Sequence, residues 1–168
     1  MAVEIRKGTS ADLDAFVELL YAVRDSMPIK EWFCLDSKDE FHQQMDDGIM
    51  ELWLALDGEK VVGAFDLLVP GLREINYGYE LGFTEEELLQ AVNMDSAAVH
   101  PDYQGQGIQR RLLLTAEDWL KSQGRRILLC TIHPENRFSL HNARKIGYTI
   151  QKQLPLYGSV RYILRKDI

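Results

Sequence analysis

Cysteine is scarce in this 168-residue sequence: Cys34 and Cys130 are its only two, and they lie far apart. This argues against a disulfide-stapled secreted fold and predicts a reduced, cytoplasmic protein. The apolar runs are too short for a membrane-spanning helix, and the first residues lack the basic region and apolar core of a signal peptide. The four histidines show no zinc-ligand spacing. We therefore expect no metal and no membrane association.

Repeats, low-complexity tracts and linkers are also missing, so residues 1–168 are predicted to form a single domain. The net charge of −7 argues against nucleic acid as a partner. The charge is uneven, because residues 1–93 hold 7 Lys/Arg and 20 Asp/Glu, whereas residues 94–168 hold 12 and 6. A basic half suits a polyanionic ligand and an acidic half suits a cationic amine, although a chance imbalance between solvated faces stays open.

Residues 94–114 have the pattern of a strand, a glycine-rich turn and a helix. Pro101 ends the apolar strand, because proline cannot donate to a sheet ladder. Gly105 and Gly107 allow positive φ in the turn. An amphipathic helix follows, whose apolar positions are Ile108, Leu112, Ala116, Trp119 and Leu120. Successive N–H groups at such a turn and helix start favour phosphate binding.

Two common phosphate loops do not fit this turn. A dinucleotide fingerprint requires a third glycine where Arg110 stands, and no Gly-Lys-Ser/Thr follows Gly107, as a P-loop would require. A glycine-rich surface turn without a ligand stays open as the alternative.

The run Gln-Gly-Gln-Gly-Ile-Gln at residues 104–109 resembles the acyl-coenzyme A loop of the GNAT acetyltransferase superfamily. In that family the loop reads Gln/Arg, any, any, Gly, any, Gly/Ala, usually after a strand that ends in Val-x-Pro; here Val99-His100-Pro101 matches. A second stretch, with a strand at 127–131, then Asn136, a helix and Gly147-Tyr148, resembles a later motif of the family. Two positions depart from the pattern: Gln109 stands for Gly/Ala, and Ala143 for a frequent Tyr.

The resemblance implies that acetyl-CoA lies along the strand end and the loop, without a metal. Backbone groups of Ala97 and Val99 would then bond the pantetheine amides, and Asn136 would contact the pantetheine arm. The full set of implied cofactor-binding residues is Ala97, Ala98, Val99, Gln104, Gly105, Gln106, Gly107, Ile108, Gln109, Asn136 and Ser139.

The resemblance also implies an N-acetyltransferase, in which a primary amine attacks acetyl-CoA directly in a ternary complex. Asp95, expected at the start of its strand, is the first candidate for the general base, with Glu80 and Asp66 in reserve. A capping or ion-paired Asp95 is the structural alternative. Tyr157 or Tyr148 would replace the missing acid at Ala143.

Other functions stay open at this stage. Cys130 is expected to be a small core residue, since no His is placed to activate it for a covalent mechanism. The acceptor is expected to be a small-molecule or peptide amine of unspecified identity, and a homodimer is left open. The competing function is a weak or inactive GNAT-fold module that senses acyl-CoA.

The order of predicted elements is β-α-α-β-β-insert-β-α-β-α-β-β, which matches the GNAT order. The expected fold class is α/β (α+β), with a mixed, mostly antiparallel central sheet flanked by helices. The insert, residues 72–92, is expected to expose aromatic residues at 76–80 and to carry a helix containing Leu88, Leu89 and Val92. A helix at 139–146 and strands at 149–154 and 160–164, joined by residues 155–159, complete the prediction.

Overall fold

Residues 2–168 are described in a computed structural model. The strands are β1 Glu4–Lys7, β2 Met50–Asp57, β3 Lys60–Leu68, β4 Ala91–Val99, β5 Ile127–Ile132, β6 Thr149–Leu156 and β7 Ser159–Asp167. They form one seven-stranded sheet in the order β1-β2-β3-β4-β5-β7-β6. β4 and β5 are parallel, whereas the pairs β1–β2, β2–β3, β5–β7 and β6–β7 are antiparallel. The helices are α1 Leu13–Ser26, α2 Lys38–Asp46, α3 Glu85–Gln90, α4 Ile108–Ser122 and α5 Arg137–Lys145. The predicted fold class and element order are thus confirmed.

The chain divides into two compact units. The first contains the residues up to Leu68 together with Asp95–Leu120, and the second contains Val69–Met94 and Lys121–Ile168. Within residues 2–168, no helix has both the length and the apolar composition needed to cross a membrane.

In the first unit, capping residues fix where the helices begin. Thr9 and Asp12 form a capping box on the short 3-10 turn before α1, and Ser37 and Glu40 form one on α2. The apolar side chains between these signals pack on β2 and β3. The buried cluster comprises Leu13, Phe16, Val17, Leu19, Leu20, Val23, Phe41, Ile49, Met50, Leu52, Leu54, Ala64, Leu68 and Ala98.

The start of α4 packs directly against β3 at Gly63. A Cβ at this glycine would lie 2.9 Å from Ile108 Cγ2 and 3.1 Å from Ala55 Cβ. Ile108, in the first turn of α4, is buried. A side chain at residue 63 would therefore push the helix start away from the strand, so this glycine sets the position of the preceding loop.

In the second unit, two buried asparagines hold the insert. Asn93 Nδ2 donates to Ile75 O at 2.8 Å, while its Oδ1 accepts from Tyr77 N at 3.3 Å. Asn76 Nδ2 donates to Gly71 O at 2.9 Å and to Leu88 O at 3.0 Å. Tyr77 consequently joins the second apolar core, with Ala91, Ile127, Leu129, Leu154 and Ile163.

The insert differs from its sequence prediction in two respects. Tyr79 is exposed as expected, but Tyr77 is only 9% exposed because the asparagine bonds draw it inward. Val92 lies in β4 and not in the helix, since Ala91–Asn93 pair with Ile127–Leu129 of β5. Asp95 therefore occupies the middle of β4, and its predicted place at the strand start is wrong.

The last third differs mainly in element boundaries. α5 begins at Arg137, two residues before the predicted start, and none of its residues is fully buried. The final hairpin turns through Tyr157 and Gly158 alone, because both take positive φ (53° and 78°). Such a tight turn extends both strands beyond their predicted ends.

Candidate functional site

The loop from Gln104 to Gly107 has the backbone form that the sequence predicts. Gly105 and Gly107 lie at φ 79° and 75°, and no atom lies within 4 Å of the position that a Cβ would take at either. The space beside this backbone is therefore open, and a side chain would occupy it. Gly105, Gln106 and Gly107 are also exposed.

Side chains on both flanks fix the loop. Gln104 Nε2 donates to the Val99 carbonyl at 3.2 Å, which folds the chain back onto the end of β4. Tyr103 Oη donates to Asp57 Oδ2 at 2.6 Å, which ties the loop to the β2–β3 hairpin. The loop is thus held in a defined shape by contacts on both sides.

The helix that follows presents its first turn to this loop. Arg111 N donates to Gly107 O at 3.1 Å, while the N–H groups of Ile108, Gln109 and Arg110 precede any intrahelical acceptor. These groups and the positive end of the helix dipole favour an anionic ligand. Gln109 is half-buried here, in the position where the GNAT pattern usually has Gly or Ala.

Just before the loop, Ala97, Ala98 and Val99 form the end of β4. Ala98 and Val99 are buried, and Ala97 is half-buried. These positions agree with the prediction of a strand end that leads into the loop.

A group of carboxyls lies deeper in the same unit. Asp66 of β3 is 0% exposed, and its Oδ1 accepts from Ser96 N at 2.9 Å. Burial raises the pKa of Asp66 well above its usual range, and the charge of Asp95 raises it further. Burial also raises the pKa of Asp95 to about 7, with a further contribution from Asp36. A carboxyl with such a pKa can accept a proton near neutral pH.

Asp36 is the member of this group that sequence reasoning missed. The pair Asp36-Ser37 predicts only a helix cap, and Ser37 does cap α2. The chain places Asp36 against the core, where Tyr21 Oη donates to its carbonyl at 2.5 Å and Gln44 Nε2 donates to its Oδ2 at 2.8 Å. Burial raises the pKa of this carboxyl as well. Nothing in the local sequence indicates that the charge of Asp36 acts on Asp66 and Asp95.

In the second unit, Asn136 caps α5. Its Oδ1 accepts from Ser139 N at 3.2 Å, so Asn136 fixes the start of the helix and Ser139 contributes its backbone N–H to the cap. Within residues 2–168, the Nδ2 group of Asn136 has no acceptor. That group remains able to donate to a ligand.

Tyr157 occupies the tip of the last hairpin and is 55% exposed. Its hydroxyl lies 2.5 Å from that of Tyr77, so each phenol can hold or pass a proton to the other. Tyr148 is buried in contrast, which leaves Tyr157 as the accessible phenol of the two.

The other candidate residues of the second unit have less suitable surroundings. Glu80 is exposed and ion-paired with Lys152, at 3.7 Å between Oε2 and Nζ. Burial raises the pKa of the Cys130 thiol to about 12, partly offset by Arg161. The thiol therefore stays protonated at neutral pH and is a poor nucleophile.

Part of the chain resembles known proteins in sequence. Residues 17–148 match the model of the family described as Acetyltransferase (GNAT) family. Over 64 residues the chain is 34% identical to the L-amino acid N-acyltransferase MnaT of Escherichia coli (strain K12). The aligned region covers 38% of this chain and 37% of that protein.

Solved structures resemble the whole fold. Arabidopsis thaliana NAA60 in complex with acetyl-CoA has a TM-score of 0.75 and 16% identity, covering 99% of each chain. The structure of yncA from Salmonella typhimurium with its cofactor acetyl-CoA has a TM-score of 0.71 and 20% identity, covering 99% of this chain and 94% of that one. At these identities the likeness shows the fold alone. With the family match over residues 17–148 and the glycine loop in place, the chain belongs to the acetyltransferase (GNAT) family.

Proposed function

We propose that this protein is an N-acetyltransferase that moves an acetyl group from acetyl-CoA to a primary amine, by direct attack in a ternary complex. The observation that carries the proposal is the open glycine backbone at Gly105 and Gly107, followed directly by the first turn of α4. Donors of this kind suit a pyrophosphate. The acetyl-CoA in the two structural neighbours, and the N-acyltransferase name of the curated relative, support the same ligand and reaction class.

The loop residues and the end of β4 would hold the cofactor, which supplies the thioester. Gly105 and Gly107 let the backbone approach the phosphates, and the N–H groups of Ile108 and Gln109 point outward from the helix start. Asn136 Nδ2 is a further donor.

Asp95 is the proposed general base. An alkylammonium, with a pKa of roughly 10, must lose a proton before its nitrogen can attack a carbonyl. Asp95 is half-buried and its pKa is raised to about 7, so its carboxylate can take that proton near neutral pH. Tyr157, which shares a hydrogen bond with Tyr77, is the proposed donor to the leaving thiolate.

The acceptor is proposed to be a cationic amine. Asp36, Asp66 and Asp95 lie in one unit, and among residues 2–168 none of them forms an ion pair with a Lys, Arg or His. The relative's name, L-amino acid N-acyltransferase, adds free amino acids as a class to test. Free amino acids carry a carboxylate next to the amine, whereas simple cationic amines do not.

A panel of amines tests the proposal. Free-thiol release from acetyl-CoA is measured with L-amino acids, with the matching amines that lack the carboxylate, and with a peptide N-terminus. We expect turnover above the hydrolysis background with at least one class. Acetyl-CoA that binds without being consumed by any amine would favour the second function, an acyl-CoA-sensing module, which the departures at Gln109 and Ala143 also favour.

A further inference from the structure

Asp66 is buried in a manner that an ionised carboxylate does not tolerate. Asp66 is 0% exposed, and its Oδ1 accepts a hydrogen bond from Ser96 N at 2.9 Å. Its Oδ2 is buried and has no hydrogen-bond partner among residues 2–168. Burying a charged oxygen without a hydrogen-bond partner costs folding free energy, whereas a protonated oxygen can donate a hydrogen bond to a neighbouring acceptor.

The backbone holds Asp66 in place from both sides. Asp66 pairs with Leu52 of β2, which is 1% exposed. On its other side lies β4, whose Ser96 N donates to Asp66 Oδ1 at 2.9 Å, and His100 N, one residue beyond β4, donates to Val62 O of β3 at 2.8 Å. Ser96 is also buried, so the bond to Oδ1 is shielded from water and fixes the orientation of the carboxyl.

After burial itself, the strongest influence on the pKa of this carboxyl is Asp95. Asp95 directly precedes Ser96 in β4 and is half-buried, so it is the more accessible of the two acids. The residue after Asp95 supplies the N–H that binds Oδ1 of Asp66, so the two acids are neighbours, and each carries a pKa raised by burial. Two such carboxyls do not both ionise near neutral pH, because like charges at this distance repel.

We propose that Asp66 is a positioning residue, which stays protonated and donates its Oδ2 proton to the carboxylate of Asp95. The pair then carries one negative charge, and Asp95 is its ionised member. The proposal rests on the role of Asp95 as general base given above. It assigns to Asp66 the task of holding that base in one orientation and stabilising its charged form.

One further charged group acts on the pair. Asp36 raises the pKa of both acids, while its own Oδ2 accepts from Gln44 Nε2 at 2.8 Å. Glu40, in the first turn of α2, acts on Asp36 in the same direction. Because Asp36 is acidic, it favours a single charge on the Asp66–Asp95 pair.

The first test follows the carboxyls directly in the wild-type protein. The chain is labelled with ¹³C at the aspartate carboxyls, and the resonances are assigned from the signals lost in Asp66→Asn and Asp95→Asn. We expect the Asp95 signal to titrate near pH 7 and the Asp66 signal to remain that of a protonated acid at that pH. An Asp66 signal that is already ionised when Asp95 titrates would overturn the proposal.

The second test compares two replacements of similar size. Asp66→Leu removes the donor, so the midpoint of the ascending limb of kcat/KM against pH should move to a pH higher by roughly one unit. At pH values below that midpoint, kcat/KM should be about tenfold lower than in the wild type. Asp66→Asn keeps a donor for Asp95 and an acceptor for Ser96 N, and should restore the rate to within about threefold of wild type, with the wild-type midpoint.

These arms separate the possible failures. If the midpoint of folded Asp66→Leu equals that of the wild type, Asp66 has only a structural role. If Asp66→Asn is as impaired as Asp66→Leu, the charge of Asp66 is required. Either result overturns the proposal. If no amine supports turnover, the proposed function fails, while the carboxyl titration in the cofactor-free protein still decides the protonation of Asp66.

Discussion

At the scale of single residues, two properties of the loop glycines decide what a substitution would do there. Gly107 takes a φ of 75°, and the space beside its Cα is open. Gly48, in the turn before β2, has the same two properties, with φ 72°, but lies outside the loop. A comparison of these two glycines separates backbone strain from loss of binding.

We expect Gly107→Val to abolish acetyl-CoA binding while the fold is retained. Its side chain would fill the space next to the loop backbone, and the strained φ would cost about 1–2 kcal/mol of stability. Gly48→Val should lose a similar amount of stability and keep full affinity. Calorimetric titration and thermal unfolding of both variants measure the two quantities, and undiminished affinity in folded Gly107→Val would contradict the placement of the cofactor.

Asp95→Asn should keep the cofactor affinity and lower kcat/KM by about 10²–10⁴-fold, because the amide cannot accept the proton. The deficit should shrink as pH rises toward the pKa of the amine, since more substrate then arrives neutral. Initial rates from pH 6 to 10 test this. Glu80→Gln is the companion variant: a loss of rate there, with wild-type rate in Asp95→Asn, would move the base to Glu80.

The buried and the ion-paired acids should change stability with pH in opposite directions. Folding raises the pKa of Asp66, so the folded state binds more protons and stability falls as pH rises above the unfolded pKa of about 3.9. Asp66→Asn should therefore gain stability relative to wild type by up to about 1.4 kcal/mol per pH unit between pH 4 and 7.

Asp12→Asn is the matched opposite case. Its hydrogen bonds with Arg6 lower the pKa of Asp12 to about 2, so this carboxylate stabilises the fold above its unfolded pKa and ceases to do so as pH falls toward 2. The variant should be less stable than wild type at pH 7, and the difference should shrink as pH falls from about 4 through 2. Urea unfolding at each pH checks both variants, and a gain for Asp66→Asn that is constant with pH would contradict the assignment.

Local chemistry decides which residue-scale features the sequence predicts. The positive φ of Gly105 and Gly107 is predictable, since glycine tolerates that backbone and the flanking motif requires it. The caps at Ser37 and Asn136 are predictable for the same local reason. The electrostatic effect of Asp36 on Asp66 and Asp95 is not predictable, because it depends on segments that are distant in sequence and fold into one unit.

At the scale of elements, α5 links a structural cap with a proposed binding group. Asn136 Oδ1 caps the helix through Ser139 N, and Nδ2 is the proposed cofactor donor. The two functions lie on different atoms of one side chain, so substitutions can separate them.

Asn136→Ala should lose both functions, about 1 kcal/mol of stability from the cap and a several-fold rise in the KM for acetyl-CoA from the donor. Asn136→Asp keeps the capping oxygen but lacks the donor, so it should retain stability and lose only cofactor use. Ser37→Ala, which removes the cap of α2, is the stability control. Wild-type cofactor kinetics in both Asn136 variants would leave the residue with its capping role alone.

Element types followed from the sequence more readily than element ends. A helix containing Leu88 and Leu89 is correctly predicted, and Thr84 and Glu87 form the capping box at its start, but it ends at Gln90 because Ala91–Asn93 pair with β5. That pairing partner lies more than thirty residues away and has no local signal. The same cause moved Asp95 from the predicted strand start to the strand centre.

At the scale of the whole molecule, the charge pattern fits the proposed pair of substrates. The half with 12 Lys/Arg and 6 Asp/Glu carries the loop, and the half with 7 and 20 carries Asp36 and Asp66. A polyanionic cofactor and a cationic acceptor would each meet the complementary half. Single-domain organisation and a cytoplasmic location stay predictions.

The central claim is that this chain binds acetyl-CoA through the loop at Gln104–Gln109, and calorimetric titration of the purified wild-type protein with acetyl-CoA tests it most directly. We predict a saturable single-site heat, together with a rise in unfolding temperature that grows with ligand concentration and corresponds to about 2.7 kcal/mol at one hundred times Kd. A natively folded protein that gives neither heat nor a thermal shift at millimolar acetyl-CoA would contradict the claim.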